Sequence, residues 1–275
     1  MAKSAFGGIN VLVTGAGRGI GKRLAIGFAA AGASVGLLSR SKPELDLTQL
    51  EIEHAGGKAL RLRGDVRNPE QVTAAVERMK AHFGRVHVLV HAAGVQGPIG
   101  PFAEADMKAW FDTIETNVKG TVQTCRAVLP DMIHERGGKI ILLSGRGGGE
   151  PWPNFTAYAT SKAAIARFAE TLAEEVRDHN VQVNCLSPGG TYTSMTDEIL
   201  SAHVNISPKD YEDALQVRIT GGAAPDKQME LALFLASERS NHISGKLIHV
   251  ADDWKKLERG TVNPLVYTVR RMVKA

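Results

Sequence analysis

Cysteine is almost absent from this 275-residue chain: Cys125 and Cys185 are the only two, each inside an apolar segment. That scarcity argues against a disulfide framework and a thiolate metal site, and no metal is expected. Both thiols read as core or near-core groups. Long apolar runs are missing as well. The chain opens Met-Ala-Lys-Ser, and nothing in it has the length of a signal peptide or a membrane span, so a soluble, cytoplasmic protein with no membrane partner is expected. No arginine-rich stripe with interleaved aromatics appears. The net charge of +4 comes from basic residues spread among acidic ones, which points away from nucleic acid and is equally explained by a phosphorylated ligand. Internal repeats are lacking, and the short glycine run Gly147 to Gly149 is the only biased tract.

What the chain does have is alternation. Apolar runs at Ile9 to Val13, Ser34 to Leu38, Lys58 to Leu62, Val86 to Val90, Lys139 to Leu143, Val181 to Leu186 and Leu247 to Val250 read as strands. Segments of helical period lie between them, near 19 to 31, 44 to 55, 69 to 83, 106 to 136, 157 to 179 and 225 to 237. Continuous rather than alternating apolar runs imply strands covered on both faces, and βαβ repetition implies a parallel sheet. The fold class expected is α/β: one domain over 1–275, a doubly wound Rossmann-type parallel sheet of about seven strands with helices on both faces. In such sheets a ligand lies beyond the carboxyl ends of the strands.

At that end of the first strand stands Thr14-Gly15-Ala16-Gly17-Arg18-Gly19-Ile20-Gly21. Glycines there permit a tight turn and close backbone approach to a pyrophosphate, and the helix that follows offers free amides and the positive end of its dipole. The spacing is Gly-x-x-x-Gly-x-Gly. The second strand ends Leu38-Ser39-Arg40-Ser41-Lys42, with no carboxylate before Glu44 to hold a free ribose hydroxyl. Arg40 and Ser39, with Arg18 from the glycine turn, suit a 2′-phosphate instead. NADP(H) is therefore favoured, with NAD(H) the alternative. Further on, in Ala-Tyr-Ala-Thr-Ser-Lys, Tyr158 and Lys162 put a phenol and an ammonium one helical turn apart. A neighbouring cation favours the phenolate, which suits exchange of a proton with a substrate hydroxyl.

Together these residues resemble the short-chain dehydrogenases/reductases, from about Gly8 to Asp253. Asp65-Val66 is similar to that family's adenine contact. His91-Ala92-Ala93-Gly94 resembles its Asn-Asn-Ala-Gly turn with the two asparagines replaced. Asn117 matches the helix asparagine that holds a water beside the active lysine, and Tyr158 and Lys162 match the catalytic pair. Asn184 through Pro188-Gly189 matches the segment facing the nicotinamide. Thr191 and Thr193 fall where the family contacts the carboxamide and phosphate side of the cofactor. The resemblance implies reversible hydride transfer between nicotinamide and a secondary alcohol or ketone. In it Tyr158 is the acid/base, Lys162 lowers the phenol pKa and bonds the ribose, and Asn117 positions a water.

One departure stands out: the family's serine lies thirteen residues before the tyrosine, and here that position is Gly145. Ser144 is one residue early and, by strand alternation, aims away unless Gly145 to Gly149 bend the backbone. Its role is either catalytic or structural. A bulge that brings Ser144 in, a substrate hydroxyl or water in its stead, or lost activity with retained NADP(H) binding as a sensor are the three outcomes. Residues 192–222 form the expected substrate lid. Arg146, Glu150, Trp152 and Asn154 make the loop before Tyr158 polar and aromatic, which hints at a hydroxylated or anionic small molecule, sugar-like or a hydroxy acid. A C-terminal extension, 254–275, is anchored by Trp254 and either covers a neighbouring subunit, covers the pocket or stays mobile. A homodimer or homotetramer is expected through segments 106 to 136 and 157 to 179.

Overall fold

The computed structural model describes residues 5–260, 262–263 and 265–269. Seven strands form one all-parallel sheet: β1 (Asn10–Thr14), β2 (Ser34–Ser39), β3 (Lys58–Arg63), β4 (Val88–His91), β5 (Gly138–Leu143), β6 (Val181–Ser187) and β7 (Leu247–His249), in the order β3-β2-β1-β4-β5-β6-β7. The order reverses between β1 and β4, and a crevice opens there beyond the strand ends, as doubly wound sheets require.

Alternation of side chains across the strands sends the core to two sides. Val11 and Val13 of β1, Val88 and Val90 of β4, and Ile141 and Leu143 of β5 pack with α1 (Gly19–Ala30), α2 (Lys42–His54) and α9 (Pro225–Ala236). Leu12, Leu89, Ile140 and Leu142 pack on the other face against α3 (Pro69–Phe83), α5 (Gly120–His134) and α6 (Thr156–Glu175). With both faces covered, central strands must be apolar throughout, which is why their sequences read as unbroken runs. Helix starts are fixed locally. Ser41 and Asn68 accept hydrogen bonds from the amides of Glu44 and Gln71, with proline in the first turn of each helix.

The segment 106 to 136, expected as one helix, is interrupted. α4 (Met107–Ile114) leads into a π-helical turn, Glu115–Lys119, before α5 begins. Such a turn admits one extra residue and swings the side chains that follow. Residues 192–222 fold as α7 (Ser194–Ser201) and α8 (Pro208–Thr220), two helices that strand-helix alternation did not resolve.

The described part of the C-terminal extension lies on its own sheet edge. The Leu247 N–H donates to the Tyr267 carbonyl (2.7 Å), and Lys246 Nζ donates to the carbonyls of Asn263 (3.1 Å) and Val266 (2.9 Å). Trp254 stacks on Phe234 with ring centroids 5.1 Å apart. An uncovered edge strand is a template for pairing with other chains, and this segment covers it. Residues 270–275 of the extension lie outside the described residues.

Candidate active site

The crevice beyond β1, β2 and β4 is a cleft of about 410 Å³. Its walls include Gly15, Arg18, Gly19, Ile20 and Gly21 from the glycine turn. Ser39 and Arg40 follow β2, Asp65 and Val66 follow β3, Ala92, Ala93 and Gly94 follow β4, and Thr193 closes the far side. All of these were singled out in the sequence. The turn is held by close backbone packing: a Cβ on Gly21 would lie 2.3 Å from the Gly15 carbonyl oxygen, so only glycine lets α1 start there. The Thr14 hydroxyl accepts from the amides of Ala92 and Ala93, 3.1 Å each, and ties the ends of β1 and β4 into one rim.

These walls fit a dinucleotide. The N-terminus of α1 faces the cleft with no side chain capping it, which leaves amide donors directed at the space where a pyrophosphate would lie. At the other end, Arg18, Ser39, Arg40 and Ser41 gather, but so does Glu44, whose Oε1 is 4.0 Å from Arg18 Nη1. Glu44, the first carboxylate after the second strand, thus reaches this pocket through the first turn of α2. The Asp65 carboxylate is gripped by Arg67, at 2.6 to 3.1 Å, and that pairing holds it below the usual carboxylate range. Thr116, Val95, Ser194 and Met195 also line the cleft. Ser194 and Met195 fall within the expected lid, 192–222, where no single contact was assigned; Thr116 and Val95 were not foreseen, since the π turn that presents Thr116 leaves no clear periodic signal.

Of the other residues singled out in the sequence, Asn117 and Lys162 stand behind Gly94 in the cleft wall, whereas Tyr158, Ser144, Pro188, Gly189 and Thr191 do not line the cleft. Lys162 Nζ lies 5.3 Å from the Tyr158 ring centroid and donates to the Leu143 carbonyl at 2.8 Å. A Cβ on Gly94 would be 3.8 Å from the same nitrogen and 3.3 Å from Asn117 Oδ1, so the three residues meet at the cleft wall. Asn117, in the π turn and fully buried, accepts from the Val95 amide (2.8 Å) and donates to the Val95 carbonyl (3.0 Å) and to Ser161 Oγ (2.9 Å). Its side chain ties the loop after β4 to α6.

The electrostatics differ from the sequence reading. Burial pushes the Tyr158 phenol up to about 12 and the Lys162 ammonium down to about 8. Desolvation disfavours whichever form carries charge, and it is the leading cause for both groups. His91 is pushed down to about 3 by burial and then by Lys162, so its imidazole is neutral.

Gly145 faces the phenol: a Cβ built there would stand 2.7 Å from Tyr158 Oη. Ser144 Oγ is buried beneath the glycine run, where a Cβ on Gly148 would meet it at 2.5 Å. Pro188 and Thr191 are fixed by Gln228 of α9, which donates to the Pro188 carbonyl (2.8 Å) and to Thr191 Oγ1. Gly189 between them takes a left-handed φ of +70°. In the loop before α6, Arg146 and Glu150 are exposed while Trp152 is buried. Arg146 pairs with Asp210 (2.8 Å) and Asp213 (3.6 Å) and lies over the Trp152 ring.

Among the described residues no group of His, Cys, Asp and Glu is arranged to hold a metal, and no helix is long and apolar enough to cross a membrane. Comparison with known proteins agrees with this architecture. The family model for short chain dehydrogenases matches residues 10–203. Oxidoreductase UcpA of Escherichia coli (strain K12) is 35% identical over 244 residues, covering 86% of this chain and 91% of that protein. NAD+-bound xylitol dehydrogenase superposes with a TM-score of 0.83 at 26% identity, covering 89% of this chain and 98% of the other. An NADPH-bound actinorhodin polyketide ketoreductase superposes at 0.81 and 27%, covering 91% and 97%. With the family model matching residues 10–203, a relative 35% identical over most of both chains and the seven-stranded parallel sheet, the chain belongs to the short-chain dehydrogenase/reductase family of oxidoreductases.

Proposed function

We propose that this enzyme interconverts a secondary alcohol and a ketone with NADP(H), and that Tyr158 exchanges the proton. The observation that carries the reading is Tyr158 Oη standing over Gly145, in the space a serine side chain would take, with Lys162 packed between its ring and the cleft wall. When bound in the cleft, a nicotinamide dinucleotide supplies or accepts the hydride. The α1 amides and glycine turn would hold its pyrophosphate. Arg18, Ser39 and Arg40 would hold a 2′-phosphate, with Glu44 as the opposing charge.

A phenol pushed up to about 12 is protonated at neutral pH. Tyr158 therefore holds a proton it can give to the oxygen of a ketone as that oxygen gains charge, and in the reverse direction its phenolate takes the proton back. Lys162, partly charged near its value of about 8, lies close enough to stabilise the phenolate left behind. Gly145 contributes no hydroxyl, and the reacting oxygen takes its protein hydrogen bond from Tyr158.

The substrate is a neutral, hydroxylated small molecule, sugar-like rather than a hydroxy acid. Arg146, the cation nearest the phenol on that loop, is already neutralised by Asp210 and Asp213. Phe102, Met107 and Phe111 stand exposed before and along α4, and Val122 on α5, which supports a homodimer or homotetramer through that side.

The test is direct. The pure protein is mixed with NADPH and a panel of ketones, keto-sugars and keto acids, and the absorbance of reduced nicotinamide is followed. Turnover of a keto-sugar that Tyr158→Phe lowers by ~10²–10⁴ supports the reading. NADPH binding without turnover across the panel, unchanged by Tyr158→Phe, would replace it with a sensor.

A further inference from the structure

Helix α8 has little apolar surface to hold it in place. Of its 13 residues, only Asp210 and Ala214 are buried, while Ile219 is 68% exposed. A surface helix ordinarily docks by an apolar stripe. Here a carboxylate takes that position.

Asp210 is 7% exposed and fully engaged. Its Oδ1 accepts from Trp152 Nε1 (3.1 Å) and from Arg146 Nη1 (2.8 Å), and its Oδ2 accepts from Ser207 Oγ (2.6 Å). Its own amide donates back to Ser207 Oγ at 3.1 Å. The residue sits in the first turn of the helix, where the dipole favours negative charge. Burial works against that charge, yet the hydrogen bonds from Ser207, Trp152 and Arg146 hold the carboxyl below its usual range.

Trp152 carries the contact onward. Its ring stacks on Phe155 with centroids 3.8 Å apart, is covered by the Arg146 guanidinium at 4.9 Å, and meets Tyr158 edge to face at 5.9 Å. One indole thus joins a helix of the 192–222 segment to the phenol.

We propose that Asp210 is a positioning residue: it latches α8 to the loop ahead of α6 and, through Trp152, holds the Tyr158 ring in the space that Gly145 leaves open. The proposal rests on the reading of Tyr158 as the proton-exchanging group. A buried indole N–H deprived of its acceptor pays the full cost of its desolvation, so without Asp210 the indole turns toward water. The phenol then loses a wall and becomes wet.

Two readouts on the full-length protein, neither needing turnover, test this. One is the rate of proteolytic nicking within 192–222. The other is nitration of Tyr158 by tetranitromethane, followed by peptide mass. Asp210→Ala is expected to raise both by ~10-fold, the effect of losing one charged hydrogen bond on local opening. Asp210→Asn, whose amide oxygen still accepts the indole N–H, restores both most of the way. Trp152→Phe, which keeps the stacked ring but lacks the donor, raises both by less than Asp210→Ala, and it serves if Asp210→Ala does not fold. Wild-type rates of nicking or of Tyr158 nitration in the tested variant, or an asparagine variant as defective as alanine, would overturn the latch. If the wild type reduced nothing in the carbonyl panel, the proposed reaction would fall while nicking and nitration still decided this point.

Discussion

Tyr158 Oη occupies the approach to Gly145: a Cβ on that glycine would lie 2.7 Å from the phenol oxygen, closer than any ordinary contact of a side-chain carbon. A side chain at 145 would need the phenol to move. Restoring a side chain is therefore not expected to restore a helper. Gly145→Ala and Gly145→Ser should each displace the ring, lowering kcat by ~10-fold or more and stability by ~1–3 kcal/mol, as overpacking does. Steady-state rates with a responsive ketone and thermal melts measure both. A serine variant faster than the wild type would refute the crowding argument.

Lys162 gives a pH dependence of stability with a definite sign. Its ammonium is pushed down to about 8 in the folded chain from 10.5. Between these values the unfolded chain binds more protons, so folding stability rises with pH across that window. Relative to Lys162→Met, the wild type should gain about 3 kcal/mol in all from pH 7 to above 10.5. Denaturant titrations of the two proteins at several pH values measure the difference.

Cofactor choice is expected to turn on Arg40 and Glu44 together. Arg40→Ala should weaken NADPH by ~10–100-fold, the range of a lost charge-assisted hydrogen bond, and leave NADH within about twofold. Glu44→Gln removes the carboxylate 4.0 Å from Arg18 and should strengthen NADPH by about two- to fivefold, as a partly exposed charge allows. Nicotinamide fluorescence titrations report each affinity. Equal losses of both cofactors in Arg40→Ala would place the 2′-phosphate elsewhere.

Ending the chain after Gly260 removes the Tyr267 carbonyl from the Leu247 amide and the carbonyls of Asn263 and Val266 from Lys246. A lower melting temperature and concentration-dependent association through the bared β7 edge are expected. Light scattering against concentration separates this from simple loss of stability.

The central strands were legible because a parallel sheet buried on both faces demands unbroken apolar runs, the edge strand β3 shows alternation instead, and each observed strand begins and ends within two residues of its run. The glycine turn and the residues after β2, β3 and β4 were legible for a related reason: local backbone geometry ties them to strand ends, and they line one cleft. The π turn at Asn117 was not, since its amphipathic pattern passes for continuous helix. Nor was Gln228, which fixes Pro188 and Thr191 from a helix 37 residues beyond Thr191.

The sequence alone determined the succession of strands along the chain and the residue types at the strand ends, because alternation, caps and glycine turns are properties of neighbours along the chain. Only the tertiary structure decided the electrostatics and the coupling. Whether the Tyr158 phenol is acidified by Lys162 or kept neutral depends on how much water the surrounding packing removes, and here burial wins. Whether Arg146 greets an anion or pairs with Asp210 depends on where α8 lands. Desolvation and long-range pairing are set by residues far apart in the chain, and no local pattern encodes them.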